Sequence, residues 1–161
     1  MDRHVNDHYV KKAKQFSYRS RAAFKLIEID DKHRLFKKGM RVIDVGAAPG
    51  GWTQVAVEKV HSRKGRVTVV AVDLLRMQDV EGCHFIQGDI EDPAVQEEVS
   101  KAHLHEKAQI VISDAVPDFI GDRFIDQCHA FDLCQQILLF CDKMLIEGGT
   151  LLMKIIQGPS E

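Results

Sequence analysis

Residues 41–52 read R-V-I-D-V-G-A-A-P-G-G-W. Residues 41–46 are a short apolar run closed by a glycine, the pattern of a buried strand. Glycines and a proline follow, and W-T-Q-V-A-V-E-K-V (52–60) has helical spacing. Strand, glycine-rich turn and helix in that order begin a β-α-β unit. Downstream, R-V-T-V-V-A-V-D (66–73), C-H-F-I-Q-G-D (83–89) and Q-I-V-I-S-D (109–114) repeat the plan, each an apolar run ending in an acid. Pro93 opens a predicted helix, since proline favours the first turn. A long helix is predicted over 126–145, stopped by Gly148 and Gly149, with a fifth strand at 150–156. Upstream, residues 17–34 form an amphipathic helix with Ala23, Leu26 and Ile27 on its apolar side and Ile29 at the margin. The expectation is an α/β fold built on a doubly wound, mostly parallel sheet.

In such sheets ligands bind beyond the carboxyl ends of the strands. The polar residues there are Asp44, Gly46, Asp73, Asp89, Asp114 and Lys154. One strand-terminal aspartate is an ordinary cap or turn residue; three in succession point to a binding rim. The loop is not G-x-G-x-x-G, because only Ala47 separates Gly46 from Ala48, and Pro49 stiffens it. It suits a ligand with an amino acid end and a sulfonium better than a pyrophosphate on a helix N-terminus. Asp73 can accept from both ribose hydroxyls, and Asp89 from an exocyclic adenine amine. Together these residues describe S-adenosylmethionine better than a nicotinamide dinucleotide, and a Rossmann oxidoreductase is disfavoured.

Composition narrows the class. The chain has 161 residues, 45% of them hydrophobic, and a net charge of −2, which describes one globular domain. No apolar run approaches the roughly 18–20 residues of a membrane span. The opening M-D-R-H-V-N-D-H-Y-V has neither the apolar core of a secretory signal nor the acid-poor character of a transit peptide. Charge is uneven: residues 1–41 hold twelve Lys/Arg against five Asp/Glu, and the remainder ten against nineteen. A basic arm serving a polyanion is one reading of this; a solvated helix face is the other. Cys83, Cys128, Cys134 and Cys141 lack metal-ligand spacing, so no metal site is expected, and reduced thiols are the default. His103 and His105 read as surface residues.

The ordered set R-S-R-A-A-F-K-L, L-F-K-K-G-M-R-V-I-D-V-G-A-A-P-G-G-W, V-D-L-L, Q-G-D-I, V-I-S-D and L-L-M-K resembles the FtsJ/RrmJ family of ribose 2′-O-methyltransferases. The likeness runs from about Asp7 to Gly158. The segments D-H-Y-V-K-K-A-K and I-D-D-K-H-R-L-F are most similar to the mitochondrial large-subunit rRNA uridine methyltransferase branch. The resemblance implies a Rossmann-like, S-adenosylmethionine-dependent methyltransferase fold and a large-subunit rRNA or ribosomal-precursor substrate. It also implies a mitochondrial location, with cytoplasmic or nucleolar alternatives, and a monomer is expected.

The resemblance also places the family's K-D-K-E tetrad, with Lys25, Asp114 and Lys154 matching the first three members. Gly46, Pro49, Gly50, Gly51, Trp52, Asp73, Asp89 and Asp114 are the expected cofactor contacts. Lys11, Lys12, Arg19 and Arg21 are the expected RNA contacts, within a basic helical extension over 1–40 that precedes a core over 41–161. Methyl transfer to a 2′-oxygen needs alignment with the S–CH₃ bond and removal of a proton. Lysine is a weak base at its usual pKa of about 10.4. A nearby Lys25 charge and partial burial would lower that of Lys154, while Asp114 would raise it and orient the amine.

Two departures stand out. The family's S-D-M-A-P-N reads S-D-A-V-P-D here (113–118), placing Asp118 where an amide is usual. The family's final Glu lies beyond the fifth strand, within two further strands that these 161 residues do not contain. Truncation and natural shortening both remain open at this point. A cofactor-binding but inactive RNA-assembly module is therefore the alternative to an enzyme.

Overall fold

The computed structural model describes residues 17–155. Its elements in chain order are α1 (Ala22–His33), β1 (Val42–Val45), α2 (Gly51–Val60), β2 (Val69–Asp73) and β3 (Cys83–Gln87). They continue as α3 (Pro93–Ala102), β4 (Ala108–Ser113), α4 (Arg123–Met144) and β5 (Leu145–Met153). The five strands form one sheet in the order β3-β2-β1-β4-β5, and every pairing is parallel. Lys11 and Lys12, like the end of the family likeness at Gly158, lie outside the described residues.

Strand alternation divides the core in two. Val42, Val69, Ile110 and Ile112 face one side, where Ala23, Leu26 and Ile27 of α1 pack with Trp52, Val55, Ala56 and Val60 of α2. Ile43, Val45, Val70, Val72 and Val111 face the other, against Val95 and Val99 of α3 and Ile137 and Phe140 of α4. Strands covered on both faces need continuous apolar runs, which is why V-V-A-V and A-Q-I-V-I show so little polar alternation. Chain order 1 to 3 runs outward in one direction, and order 4 and 5 in the other. That reversal opens a crevice at the carboxyl ends of β1 and β4.

The described part of the basic segment, from Ser17 onward, is built into this body. Leu26 and Ile27 are at most 1% exposed within the α1–α2 core, so the helical part of residues 1–40 is packed against the sheet and not merely appended to it. After α1 the chain turns at Arg34, whose backbone sits in the left-handed region with its N–H on the Asp30 carbonyl at 2.6 Å. The Asp30 carboxylate then takes the Phe36 N–H at 3.0 Å.

Two expectations are corrected here. Gly148 and Gly149 do not stop α4 and precede a strand; α4 ends at Met144 and β5 begins at Leu145, with both glycines inside it. The reason is a bulge. Ala108 pairs with Leu145 and Ile110 with Thr150, so two steps along β4 are matched by five along β5. Gly148, at φ +77°, and Gly149, whose absent Cβ would lie 3.0 Å from the Gln109 carbonyl, allow that irregular path. The second correction is His103, which is 4% exposed. Its Nε2 lies 2.8 Å from the Thr68 carbonyl, a bond that offsets the cost of burying the ring.

Candidate active site

β1 delivers its chain directly into the glycine-rich turn. Gly46 and Ala47 both donate to the Val72 carbonyl, at 2.8 and 3.2 Å, which pins the start of the turn to the end of β2. Gly46 has φ +69°, and a Cβ there would sit 2.5 Å from that of Ala115, so the first glycine is required by both conformation and space. The Ala48–Pro49 peptide is cis. Gly50, at φ +114°, caps α2 without any side-chain acceptor for the helix's first amides. An uncapped N-terminus of this kind is a favourable position for a ligand carboxylate.

Asp73 ends β2 and is half-buried. Its Oδ2 accepts from Ala48 N–H and its Oδ1 from Leu75 N–H, both at 2.8 Å. The carboxylate therefore shapes the loop on either side of it, and each oxygen keeps a second lone pair for a ligand. Asp89 follows β3 on the exposed rim, with Oδ1 on the Glu91 N–H at 2.9 Å. Asp114 follows β4. Beside it the Lys154 ammonium, leaving β5, stands 3.3 Å from Asp114 Oδ1 as an ion pair without hydrogen-bond geometry. The Lys154 N–H on the Ser113 carbonyl at 2.9 Å continues the β4–β5 ladder and fixes this approach.

Gly46, Pro49, Gly50, Gly51, Asp73, Asp114 and Lys154 thus gather along one rim with Asp89 at its exposed edge, while Lys25, Trp52, Arg19 and Arg21 are placed differently. Lys25 projects from α1 with two-thirds of its side chain exposed, and its ion-pair partner is Glu28 at 3.7 Å. Trp52 is 5% exposed. Its indole lies in the α1–α2 core with Nε1–H on the Ala22 carbonyl at 2.8 Å, so its side chain anchors helix to helix. Arg21 is exposed at the start of α1. Arg19, expected to meet RNA, donates to three carbonyls: Pro49 at 3.2 Å, Gln78 at 2.7 Å and Asp79 at 2.6 Å. Those bonds join the glycine loop to the segment after β2. Among the described residues no group of three or more His, Cys, Asp and Glu is placed to hold a metal ion. No helix among them is long and apolar enough to cross a membrane.

Asp44, among the polar residues of the strand ends but not among the expected contacts, lies within β1. It is fully buried, its Oδ2 accepts from Thr53 Oγ1 at 2.7 Å, and its Oδ1 has no hydrogen-bond partner. Burial, with repulsion from Asp114 and Asp73, pushes its carboxyl up to about 7 against the pull of the Thr53 bond. An acid inside V-I-D-V, nine residues before a threonine in the first turn of a helix, was the available signal.

Comparison with known proteins decides the family. The FtsJ-like methyltransferase family matches residues 18–161. The chain belongs to the FtsJ-like methyltransferases. It is 46% identical over 158 residues to ribosomal RNA large subunit methyltransferase E of Nitrosospira multiformis, covering 98% of this chain and 75% of the relative. The protein of the same name from Rhodopseudomonas palustris is 47% identical over 161 residues, with 100% and 68% covered. That from Coxiella burnetii is 44% identical over 163 residues, with 99% and 76% covered. Among solved structures, a Plasmodium falciparum protein assigned as a ribosomal RNA methyltransferase superposes with a TM-score of 0.77 at 31% identity. It covers 88% of this chain and 80% of its own. The five-stranded parallel sheet is the Rossmann-like core of this FtsJ-like methyltransferase.

Proposed function

We propose that this FtsJ-like methyltransferase uses S-adenosylmethionine to methylate a ribose 2′-hydroxyl, on a uridine of large-subunit ribosomal RNA. The observation that carries the reading is the Lys154–Asp114 pair at 3.3 Å, beside a glycine loop that side chains cannot enter. The names of the bacterial relatives support the substrate class.

The residues present fit the cofactor. A side chain at Gly46 would strike Ala115 and one at Gly50 would press on Arg19 and Met77, so glycine at both positions lets the loop pack tightly on its own chain and hold the shape in which its backbone would meet a ligand. The bare first turn of α2 would receive its carboxylate, Asp73 its ribose and Asp89 its adenine. Pro49 and Gly51 would hold the loop, with Trp52 setting the helix behind it. The bound cofactor supplies an electrophilic methyl group. The chain's task is then to aim the hydroxyl oxygen and manage its proton. Lys154, half-exposed and tethered by Asp114, is placed to orient that hydroxyl and guide its proton away, an effect worth about 10²–10⁴ in rate.

Arg21 and Lys25 on the exposed side of α1, with Lys11 and Lys12 before it, would meet RNA phosphates. Such contacts weaken steeply with salt. The same reading makes the protein a monomer acting on an rRNA or ribosomal precursor. It places the protein in the mitochondrion, on the likeness of D-H-Y-V-K-K-A-K and I-D-D-K-H-R-L-F to that branch. Labelled methyl from S-adenosylmethionine should enter a large-subunit rRNA fragment, and Lys154→Ala should abolish most of it. Equal incorporation by the variant would sink the role given to Lys154.

A further inference from the structure

Asp44 is a carboxyl in the middle of the buried run Val42–Val45, on the sheet face covered by α1 and α2. Its bond to Thr53 closes the base of the glycine loop, tying the strand before it to the helix after it. The second oxygen is buried without a partner. An ionised carboxylate so placed is costly unless a proton or a nearby positive charge compensates.

The charged and polar groups around it can be named element by element. Asp73 from the end of β2 and Asp114 from the end of β4 repel a negative charge on Asp44, and Thr53 of α2 donates to it. Cys83 of β3 feels its field. Lys154, beyond β5, is paired with Asp114, and Arg19, before α1, is engaged with the carbonyls of residues 49, 78 and 79. Asp44 therefore lies buried beneath a rim that carries Asp73 and Asp114, while the cations Lys154 and Arg19 are engaged by other groups.

We propose that Asp44 is a proton-linked positioning residue of the cofactor site, neutral while the site is empty and ionised when a cationic ligand enters beside Asp73 and Asp114. The proposal rests on the reading that this rim binds S-adenosylmethionine. The neutral carboxyl spares the empty site a third negative charge, buried beneath Asp73 and Asp114. A ligand's positive charge favours the carboxylate, so binding expels a proton. The sign follows from linkage: the empty-site carboxyl titrates near 7 and the occupied one lower, so affinity rises with pH below 7 and levels off above it. The slope cannot exceed about tenfold per pH unit for a single group. S-Adenosylmethionine carries a sulfonium charge that S-adenosylhomocysteine lacks, so the effect is larger for the donor. The rim thereby discriminates methyl donor from demethylated product by charge.

Calorimetry of the full chain with each compound, from pH 5.5 to 8.5 in two buffers of different ionisation enthalpy, tests this. The wild type should bind S-adenosylmethionine several-fold tighter at pH 7.5 than at 5.5, releasing on the order of half a proton near pH 7. S-Adenosylhomocysteine should show a smaller dependence, and Asp44→Asn, which keeps an oxygen for Thr53, should show little. A variant with the wild-type pH profile would assign the proton elsewhere and overturn the proposal. Binding of neither compound by the wild type would overturn the cofactor reading itself, and the proposal with it. Carbon-13 NMR of the wild-type aspartate carboxyls supplies a measurement independent of the variant. A resonance titrating near 7 should move to lower pH on saturation with S-adenosylmethionine, and its failure to move would also overturn the assignment.

Discussion

Arg19 donates to the backbone carbonyl of Asp79 at 2.6 Å, across sixty residues of sequence. The same guanidinium reaches Gln78 and Pro49, so one planar group fastens the glycine loop to the β2–β3 connection. Lysine has no fork with which to span three carbonyls. Arg19→Ala should cost about 2–3 kcal/mol, lowering the melting temperature by several degrees. S-Adenosylmethionine affinity should fall with it, and Arg19→Lys should recover only part of either. Thermal melts and cofactor titrations of both variants check this; unchanged affinity in the alanine variant would mean the loop does not need the strap.

Trp52 is the sole tryptophan and is buried against α1. Its emission should therefore be blue-shifted in the native protein and move to the red on unfolding. Trp52→Phe keeps most of the apolar volume but strands the Ala22 carbonyl, at a cost of about 1–3 kcal/mol. Urea titration followed by circular dichroism measures the loss. A stability equal to wild type would show that water satisfies that carbonyl.

Gly46→Ala combines a positive φ with a 2.5 Å approach to the Ala115 Cβ. Backbone strain alone costs on the order of 1–3 kcal/mol, and the clash must also push β1 from the start of the segment after β4. The expected outcome is a folded but destabilised protein whose cofactor affinity falls by at least tenfold. Near-normal binding would show that the segment after Ser113 yields freely.

His103 predicts a loss of stability in acid. Burial holds its pKa below the ordinary histidine value, assisted by Arg41 and His84 and opposed by the Thr68 bond. A histidine depressed by folding contributes stability above the unfolded value of about 6.5, and loses it as pH falls. Asp44 acts in the opposite sense, contributing most below about pH 4 and progressively less as pH rises to 7. Urea midpoints at pH 7.5 and 5.5 should fall less for His103→Gln than for wild type. Equal falls would assign the acid loss to other groups.

The strands and the rim were legible because burial on both faces leaves a strong signature. V-V-A-V-D and Q-I-V-I-S-D admit little besides a buried strand that surfaces at its acid. Asp114 and Lys154 came together as expected because each extends a strand whose register is set by backbone pairing. The structural part that Arg19 plays was not legible, for a physical reason. Its partners are carbonyls, which every residue carries, so nothing in the sequence marks them. Trp52 was read through its loop, yet its indole is governed by α1, thirty residues earlier. His103 looked exposed because its partner, the Thr68 carbonyl, is likewise invisible in side-chain pattern.

The bulge in β5 acts as a spacer in the Lys154–Asp114 pairing. Leu145 stands opposite Ala108, and an unbroken ladder from that pair would bring Leu151 level with Asp114. The three surplus residues on β5 advance the strand so that Lys154 arrives there instead. A change in loop length far from the rim would therefore alter which side chain meets Asp114 without touching either partner. The chemistry of this site depends on a count of residues as much as on their kind.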